Sequence, residues 1–167
     1  MVLGIVTTKP RVDAIDARII KALSEDPRAT VIALANTTGV SRNTVQARLG
    51  RLENQQVLRS LERRIDPAAL GYPLTAFIST RVTQRKLTQI AGALENIPEV
   101  IEVHGLGGVT DLLIQVVARE ADDLYRIAGQ ILNIDGVEQT TTSLVMRKLI
   151  DYRITPLLDN LIPHTRR

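Results

Sequence analysis

A short run of polar side chains in the first third of the chain carries the groups that read the edges of base pairs. Arginine pairs bidentately with guanine, whereas asparagine and glutamine pair with adenine. The run comprises Ser41, Arg42, Asn43, Thr44 and Gln46. Val45, Leu49 and Leu52 recur at helical spacing, which leaves the polar side chains on the other faces of one helix. The pattern predicts a recognition helix, and a solvated surface helix with ordinary arginines is the alternative.

Arginines continue along this helix and beyond it. Arg48 and Arg51 lie on the helix, and Arg59, Arg63 and Arg64 follow it. Such side chains can neutralise phosphates, so we expect binding that weakens as the salt concentration rises. The first 65 residues hold 11 Lys/Arg and 6 Asp/Glu, a net charge of +5, whereas the remaining 10 and 12 give −2. This asymmetry indicates that only the first half meets a polyanion.

Three helices are predicted to position the polar run. The first begins near Asp13, Thr30 caps the second and Ser41 caps the third, because each side chain can accept a hydrogen bond from a free backbone amide. Gly39 supplies the tight turn between the second and third helices. The spacing predicts a helix-turn-helix.

The second half of the chain alternates strands and helices in the order β-α-β-β-α-β. The predicted strands are Leu74 to Val82, Val100 to Leu106, Leu112 to Ala118 and Val137 to Ile150, and the predicted helices are Leu87 to Ile97 and Leu124 to Leu132. This order is the split βαβ, ferredoxin-like pattern. A weak internal repeat supports it, because Leu94 to Val100 resembles Leu132 to Val137.

Turn-forming residues divide the chain. Val57-Leu58 and Leu61 to Ile65 indicate an arginine-rich β-ribbon or wing, and Asp66-Pro67 and Gly71-Tyr72-Pro73 interrupt the chain after it. The predicted fold class is therefore α+β. The predicted domains are 1–58, a helix-turn-helix domain, 59–72, a wing and linker, and 73–167, a ligand-binding and oligomerisation domain.

Glycines dominate the turn between the second and third strands of this last domain, residues 105–111. Glycine lets backbone amides approach a ligand closely, and such amides can hold a carboxylate. Asp111 could accept hydrogen bonds from an α-ammonium group, so the turn is a candidate amino-acid site. A plain hairpin turn with Asp111 as a local cap is the alternative. His104, close to the turn, is either a further contact or a group satisfied locally.

The composition argues against several other chemistries. The chain has no cysteine, and its two histidines lie far apart, so we expect neither thiol chemistry nor a metal site. It has no Gly-x-Ser-x-Gly or P-loop motif, so we expect no enzyme and no cofactor. No apolar run reaches the ~18 residues of a membrane span, which predicts a cytoplasmic protein without a membrane partner. Aromatic residues make up 2%, which favours double-stranded DNA over base stacking on single strands or RNA.

The order and spacing of these motifs resemble the Lrp/AsnC, or feast/famine, transcriptional regulators. The first half matches the family at Asp26-Pro27-Arg28-Ala29-Thr30, Leu34-Ala35, Gly39-Val40-Ser41, Val45, Arg48, Leu52-Glu53 and Val57-Leu58. The second half matches it at Asp66-Pro67, Leu70-Gly71, Gly108-Val109-Thr110-Asp111-Leu112-Leu113 and Gly136-Val137. The resemblance implies a winged helix-turn-helix followed by a ferredoxin-like, RAM-type effector domain. It also implies a homodimer that assembles to an octamer and responds to amino acids.

The resemblance further implies an effector site at subunit interfaces, beside the glycine-rich turn and the facing last strand. The implied contacts are Gly108, Thr110, Asp111, Thr140 and Thr142. Two positions depart from the family pattern. Gln56 stands where the family usually has glycine, and a non-glycine residue in a left-handed cap costs roughly 1 kcal/mol, so we expect a different turn there. Thr110 stands where the family often has an aromatic residue, so we expect a different effector preference.

Two other functions are compatible with the sequence. One is an architectural protein that wraps DNA without an effector and with little sequence preference. The other is a small metabolic enzyme built on the second half of the chain. The recognition helix and the glycine-rich turn favour a sequence-specific regulator that reads a pseudo-palindromic site as a homodimer.

Overall fold

A computed structural model describes residues 12–59 and 65–163 of the chain. These residues form two compact units, one of residues 12–59 together with 150–163 and the other of residues 65–149. The α+β fold class is confirmed, because a helix-turn-helix precedes a four-stranded sheet with helices.

The first unit contains the three predicted helices, and the predicted caps begin them. The helices are α1 (Ala14–Glu25), α2 (Val31–Thr38) and α3 (Arg42–Asn54). Asp13 accepts hydrogen bonds from the Ile15 and Asp16 amides, and the Asp16 side chain accepts one from the Asp13 amide in return. Thr30 and Ser41 cap α2 and α3 through the amides three residues later. Gly39 ends α2 at φ 68°, a left-handed conformation that glycine adopts without steric cost.

Two apolar clusters hold the first unit together. In one, Ile19 of α1, Leu34 of α2 and Val45 of α3 are fully or almost fully buried. In the other, Leu158 packs against Ala17, Ile20 and Leu52 from a further helix, α6 (Thr155–Asp159). Residues 73–167 are all predicted to belong to the second domain. In the structure the chain from residue 150 to 163 packs with the first unit, because the Leu158 side chain is covered by α1 and α3.

The predicted wing lies largely outside the described residues, which leave out 1–11, 60–64 and 164–167 and therefore also Arg63 and Arg64. Val57 and Leu58 are described, and their assignment to a strand is wrong. Both amides donate to the carbonyl oxygen of Leu52, at 2.9 and 3.3 Å, so these residues close the end of α3 instead of starting a ribbon.

The turn after α3 is left-handed although its residue is not glycine. Gln56 has φ 54°, so the expectation of a differently built turn is wrong. The amide of Gln56 donates to Glu53, and the two amides that follow donate to Leu52. These bonds satisfy carbonyl groups at the helix end and outweigh the strain at Gln56.

Replacing Gln56 with glycine should therefore stabilise the protein by about 0.5–1 kcal/mol. Glycine removes the left-handed strain, and the gain is partly offset by the larger entropy of glycine in the unfolded chain. Thermal unfolding of Gln56→Gly, with Gln55→Gly as the control at a position with φ −87°, measures the effect. A Gln56→Gly protein that unfolds at a lower temperature than the wild type would contradict it.

The second unit contains four strands, β1 (Leu74–Val82), β2 (Val100–Gly105), β3 (Leu112–Ala118) and β4 (Val137–Leu144). They form an antiparallel sheet with the strand order β2-β3-β1-β4. Its helices are α4 (Leu87–Glu95) and α5 (Ala121–Leu132). The order along the chain is the predicted β-α-β-β-α-β.

The last strand is shorter than predicted. Expected to run to Ile150, β4 ends at Leu144, which pairs with Ala76, and one further amide, that of Val145, donates to Thr75. Its neighbour β1 begins at Leu74, which lies opposite residue 146 in this register, so no residue beyond 146 has β1 alongside to pair with.

Both helices of the second unit cover the same face of the sheet. Ile90 of α4 and Ile127 of α5 are fully buried against Ile78 and Ile114, which lie opposite each other on β1 and β3. Residues at alternate positions of these strands face away from the helices. The glycine-rich turn connects β2 to β3 at one end of this sheet.

Candidate nucleic-acid interface and effector turn

The polar run occupies the first turns of α3, as predicted. Arg42, Asn43 and Gln46 are exposed, whereas Val45 between them is fully buried and fixes the helix to the core. The two hydroxyl groups of the run are used locally. Ser41 Oγ accepts from the Thr44 amide at 3.2 Å and lies 2.8 Å from Thr44 Oγ1. The start of α3 therefore presents a guanidinium and two amides to solvent on a capped helix.

Arg48 and Arg51, predicted to contact phosphates, have carboxylate partners on α1. The Arg48 guanidinium contacts Asp13 and lies 3.1 Å from Asp16 Oδ1, and Arg51 contacts Asp16 Oδ2. The Asp16 side chain is 0% exposed, whereas those of Arg48 and Arg51 are 25% and 39% exposed. This cluster joins α1 to α3. The contact of these arginines with phosphate stays a prediction, and their charge is already balanced within the unit.

Nothing in the sequence indicates that Asp13 and Asp16 are partners of the arginines. Their spacing of three residues indicates a capping box, which is local, but pairing with residues 32 and 35 positions away has no local signal. Among the described residues, Arg51 Nε is buried without a hydrogen-bond partner. Asp16 nevertheless has both carboxylate oxygens paired, which is what a fully buried carboxylate requires.

Asp13 makes the stability of the first unit depend on pH. The hydrogen bond from the Asp16 amide and the contact with Arg48 lower the pKa of the Asp13 carboxyl to about 2. Because the pKa is lower in the folded protein, the carboxylate stabilises the fold above pH ~4 and this contribution is lost as the pH falls towards 2.

The Asp13→Asn protein keeps a capping side chain but has no charge, so it should be less stable than the wild type near pH 7. Chemical unfolding at several pH values should show this difference shrinking between about pH 4 and pH 2. A constant difference across that range would contradict the ionic role of Asp13.

The glycine-rich turn is tied to β1 through Asp111. The Asp111 amide donates to the Thr80 carbonyl at 2.8 Å, and the Leu106 amide donates to the Asp111 carbonyl at 2.7 Å. The carboxylate accepts from the Val82 amide at 2.8 Å and from Gln84 Nε2 at 2.6 Å. Val82 lies where the pairing of β1 with β4 shifts register, so Asp111 supplies an acceptor at the irregularity. Asp111 thus caps the end of β1.

The implied effector contacts lie on β4 and on the glycine-rich turn. Thr140 pairs with Thr80 and Thr142 with Ile78 across β1 and β4, while Asp111 bonds to Thr80 from the other side. Two strand spacings, about 10 Å, therefore separate the backbones of Asp111 and Thr140. The hydroxyl oxygen of Thr80 is buried and has no hydrogen-bond partner among the described residues. Residue types alone gave no reason to single out Thr80.

The other implied effector contacts differ in their exposure to solvent. Gly108 is exposed, and its φ of 153° lies at the edge of the extended region. Thr110 is half-buried, and Thr142 is exposed. His104 Nε2 lies 3.8 Å from Glu102 Oε1 on the same strand, so this histidine has a local partner.

Across residues 12–59 and 65–163, no three His, Cys, Asp or Glu side chains are grouped so that they could bind a metal ion. In the same parts of the chain, no helix has the length and apolar character needed to cross a membrane.

Known proteins match both units. Residues 12–53 match the AsnC-type helix-turn-helix domain, and residues 75–155 match the Lrp/AsnC ligand binding domain. The HTH-type transcriptional regulator FL11 of Pyrococcus horikoshii is 33% identical over 135 residues, which cover 81% of this chain and 89% of that protein. The structure of E. coli AsnC aligns with a TM-score of 0.78 and 26% identity, over 87% of this chain and 99% of that one.

A feast or famine regulatory protein of M. tuberculosis, complexed with L-methionine, aligns with a TM-score of 0.75 and 28% identity, over 86% of this chain and 98% of that one. The relatives are transcriptional regulators and not enzymes. The two matched domains, in this order, and the identity shared with a regulator over most of both chains lead to one assignment. This chain belongs to the Lrp/AsnC family of transcriptional regulators.

Proposed function

We propose that this regulator reads a specific DNA sequence through the start of α3. The observation that carries the proposal is the exposure of Arg42, Asn43 and Gln46 on a helix whose Val45 is fully buried. A recognition helix inserts its N-terminal residues into the major groove, where these three side chains match guanine and adenine edges. The carboxylates that pair with Arg48 and Arg51 leave Arg42 as the guanidinium of α3 best placed for a base.

The proposed effector is an amino acid bound beside the glycine-rich turn. A relative of known structure is complexed with L-methionine, which supports this ligand class. Both Asp111 oxygens already accept one hydrogen bond, and each oxygen of a carboxylate can accept a second, for example from an α-ammonium group. Amides of the turn around Gly108 would take the ligand carboxylate, and Thr110, Thr140 and Thr142 would contribute hydroxyl groups.

The proposed assembly is a cytoplasmic homodimer that builds an octamer. One helix-turn-helix covers a small site, so two copies on neighbouring half-sites are needed for useful specificity. Light scattering of the purified protein at several concentrations measures the assembly. A monomer at micromolar concentration would contradict it.

DNA titrations test the regulator proposal directly. The protein is titrated against a duplex from the region upstream of its own coding sequence and against a scrambled duplex, at two salt concentrations. Each titration is repeated with L-methionine and with a pooled mixture of amino acids. We expect tighter binding to the upstream duplex and a change with an amino acid, where a coupling of 1–3 kcal/mol corresponds to 5–150-fold. Equal binding to both duplexes that no amino acid alters would instead support an architectural protein.

The effector site has its own test in Asp111→Ala. This change should abolish the response to the active amino acid and leave DNA affinity in its absence unchanged. Because Asp111 also caps β1, the matched control is Gln84→Ala, which removes one hydrogen bond to the carboxylate but keeps the charge. An unaltered response in Asp111→Ala, or an equal loss in Gln84→Ala, would place the ligand elsewhere.

A further inference from the structure

The short helix α6 packs onto the DNA-binding unit. Leu158 is 4% exposed and lies in one cluster with Ala17 and Ile20 of α1 and Leu52 of α3. Its neighbour Leu157 is 64% exposed. One leucine of α6 is therefore buried where α1 and α3 meet, and the other faces solvent.

An ion pair fixes the same helix to α1. Lys21 Nζ lies 2.7 Å from Asp159 Oδ1, and this contact raises the pKa of the Lys21 ammonium. Both side chains are more than a third exposed, at 36% and 43%, so solvent screens the attraction. The pair therefore contributes to the orientation of α6 more than to stability.

The contact with Leu52 connects α6 to the base-reading end of α3. Leu52 lies in the last turn of a helix that begins at Arg42 and has 13 residues, about 20 Å in length. A helix of this length moves as a rod, so a tilt at Leu52 displaces Arg42, Asn43 and Gln46. A displacement of about 1 Å between a side chain and a base edge is enough to break a hydrogen bond.

We propose that α6 is a positioning element for DNA recognition, with Leu158 and Asp159 as its anchoring residues. The proposal rests on the DNA-reading role of α3. The match to the helix-turn-helix domain ends at residue 53, and the match to the ligand-binding domain ends at 155, the first residue of α6. The helix thus follows the effector domain in sequence but packs onto the DNA-binding unit.

Leu158→Ser and Leu157→Ser form the central comparison, since both place the same residue type on the same helix. Both are titrated at 25 °C against the upstream duplex described above, after circular dichroism has shown that each is folded at that temperature. We expect Leu158→Ser to bind about tenfold more weakly than Leu157→Ser, equivalent to one lost base contact. Equal affinities in the two folded proteins would overturn the proposal even if Leu158→Ser melts at a lower temperature.

A second set of variants covers the case in which Leu158→Ser does not fold. Asp159→Asn and Lys21→Met remove the ion pair and keep the apolar contact, and the double exchange Lys21→Asp with Asp159→Lys restores it with reversed charges. We expect the single variants to bind DNA two- to fivefold more weakly than the wild type. In Lys21→Met this loss is expected in addition to the effect that removing one positive charge has on DNA affinity. The exchange should restore the affinity. Single variants that bind like the wild type would overturn the role of α6. A wild-type protein without preference for the upstream duplex would instead overturn the proposed specificity, and the same comparison would then be read from total DNA affinity.

Discussion

Replacing Asp16 with alanine is expected to lower the free energy of unfolding by about 3 kcal/mol, the range seen when one partner of a buried ion pair is removed. Asp16 is 0% exposed and accepts from both Arg48 and Arg51. Without it, Arg51 loses its carboxylate partner and Arg48 keeps only that of Asp13, so two neighbouring guanidinium groups of α3 are left with one carboxylate. Chemical unfolding followed by circular dichroism measures the loss.

Glu25→Ala is the matched control, because Glu25 is an exposed acid on the same helix. It should change the free energy of unfolding by no more than about 0.5 kcal/mol. The combined change of Asp16→Leu, Arg48→Met and Arg51→Met should recover much of the stability, since apolar groups of similar size can replace a whole buried ion cluster. If Asp16→Ala were no more harmful than Glu25→Ala, the cluster would not join α1 to α3 in solution.

Arg42→Ala should lower DNA affinity and Arg48→Ala should lower stability, although both remove an arginine from α3. Arg42 is exposed at the start of the helix, so its loss should weaken binding to the upstream duplex about 5- to 150-fold, as one bidentate base contact of about 1–3 kcal/mol implies. Its loss should leave the free energy of unfolding within about 0.5 kcal/mol. Arg48 is paired with two carboxylates, so its loss should chiefly lower stability.

The specificity of the Arg42 effect separates base reading from general charge. Binding to the scrambled duplex should fall much less than binding to the upstream duplex, because a base contact discriminates between sequences and a phosphate contact does not. Arg18→Ala removes an exposed positive charge from α1 and is the control for net charge. A uniform loss on both duplexes in Arg42→Ala, equal to that in Arg18→Ala, would remove Arg42 from the recognition set.

The parts of this fold that could be predicted from sequence are those with local causes. Asp13, Thr30 and Ser41 mark helix starts, because a cap acts on amides two or three residues away. Likewise, alternation in β1 predicts which residues face the helices, since successive strand residues point to opposite faces.

The parts that could not be predicted depend on contacts between distant residues. The sequence shows arginines on α3 but does not show that Asp16 pairs with two of them. It shows a carboxylate in the glycine-rich turn but not that Asp111 accepts from Val82 and Gln84 at the end of β1. The predicted end of β4 at Ile150 is wrong for a similar reason, because a strand cannot pair beyond the end of its neighbour, and β1 begins at Leu74, opposite residue 146.

The return of α6 to the first unit has a consequence for the order in which a cell makes this protein. The ribosome adds Leu158 roughly a hundred residues after Leu52, which at ~5–20 residues per second is a delay on the order of ten seconds. During that delay, Ile20 and Leu52 lack the side chain that later covers them. A nascent chain that stops before residue 155 therefore carries its DNA-reading helices without their last packing partner. The DNA-binding unit is complete only after the whole effector domain has been synthesised.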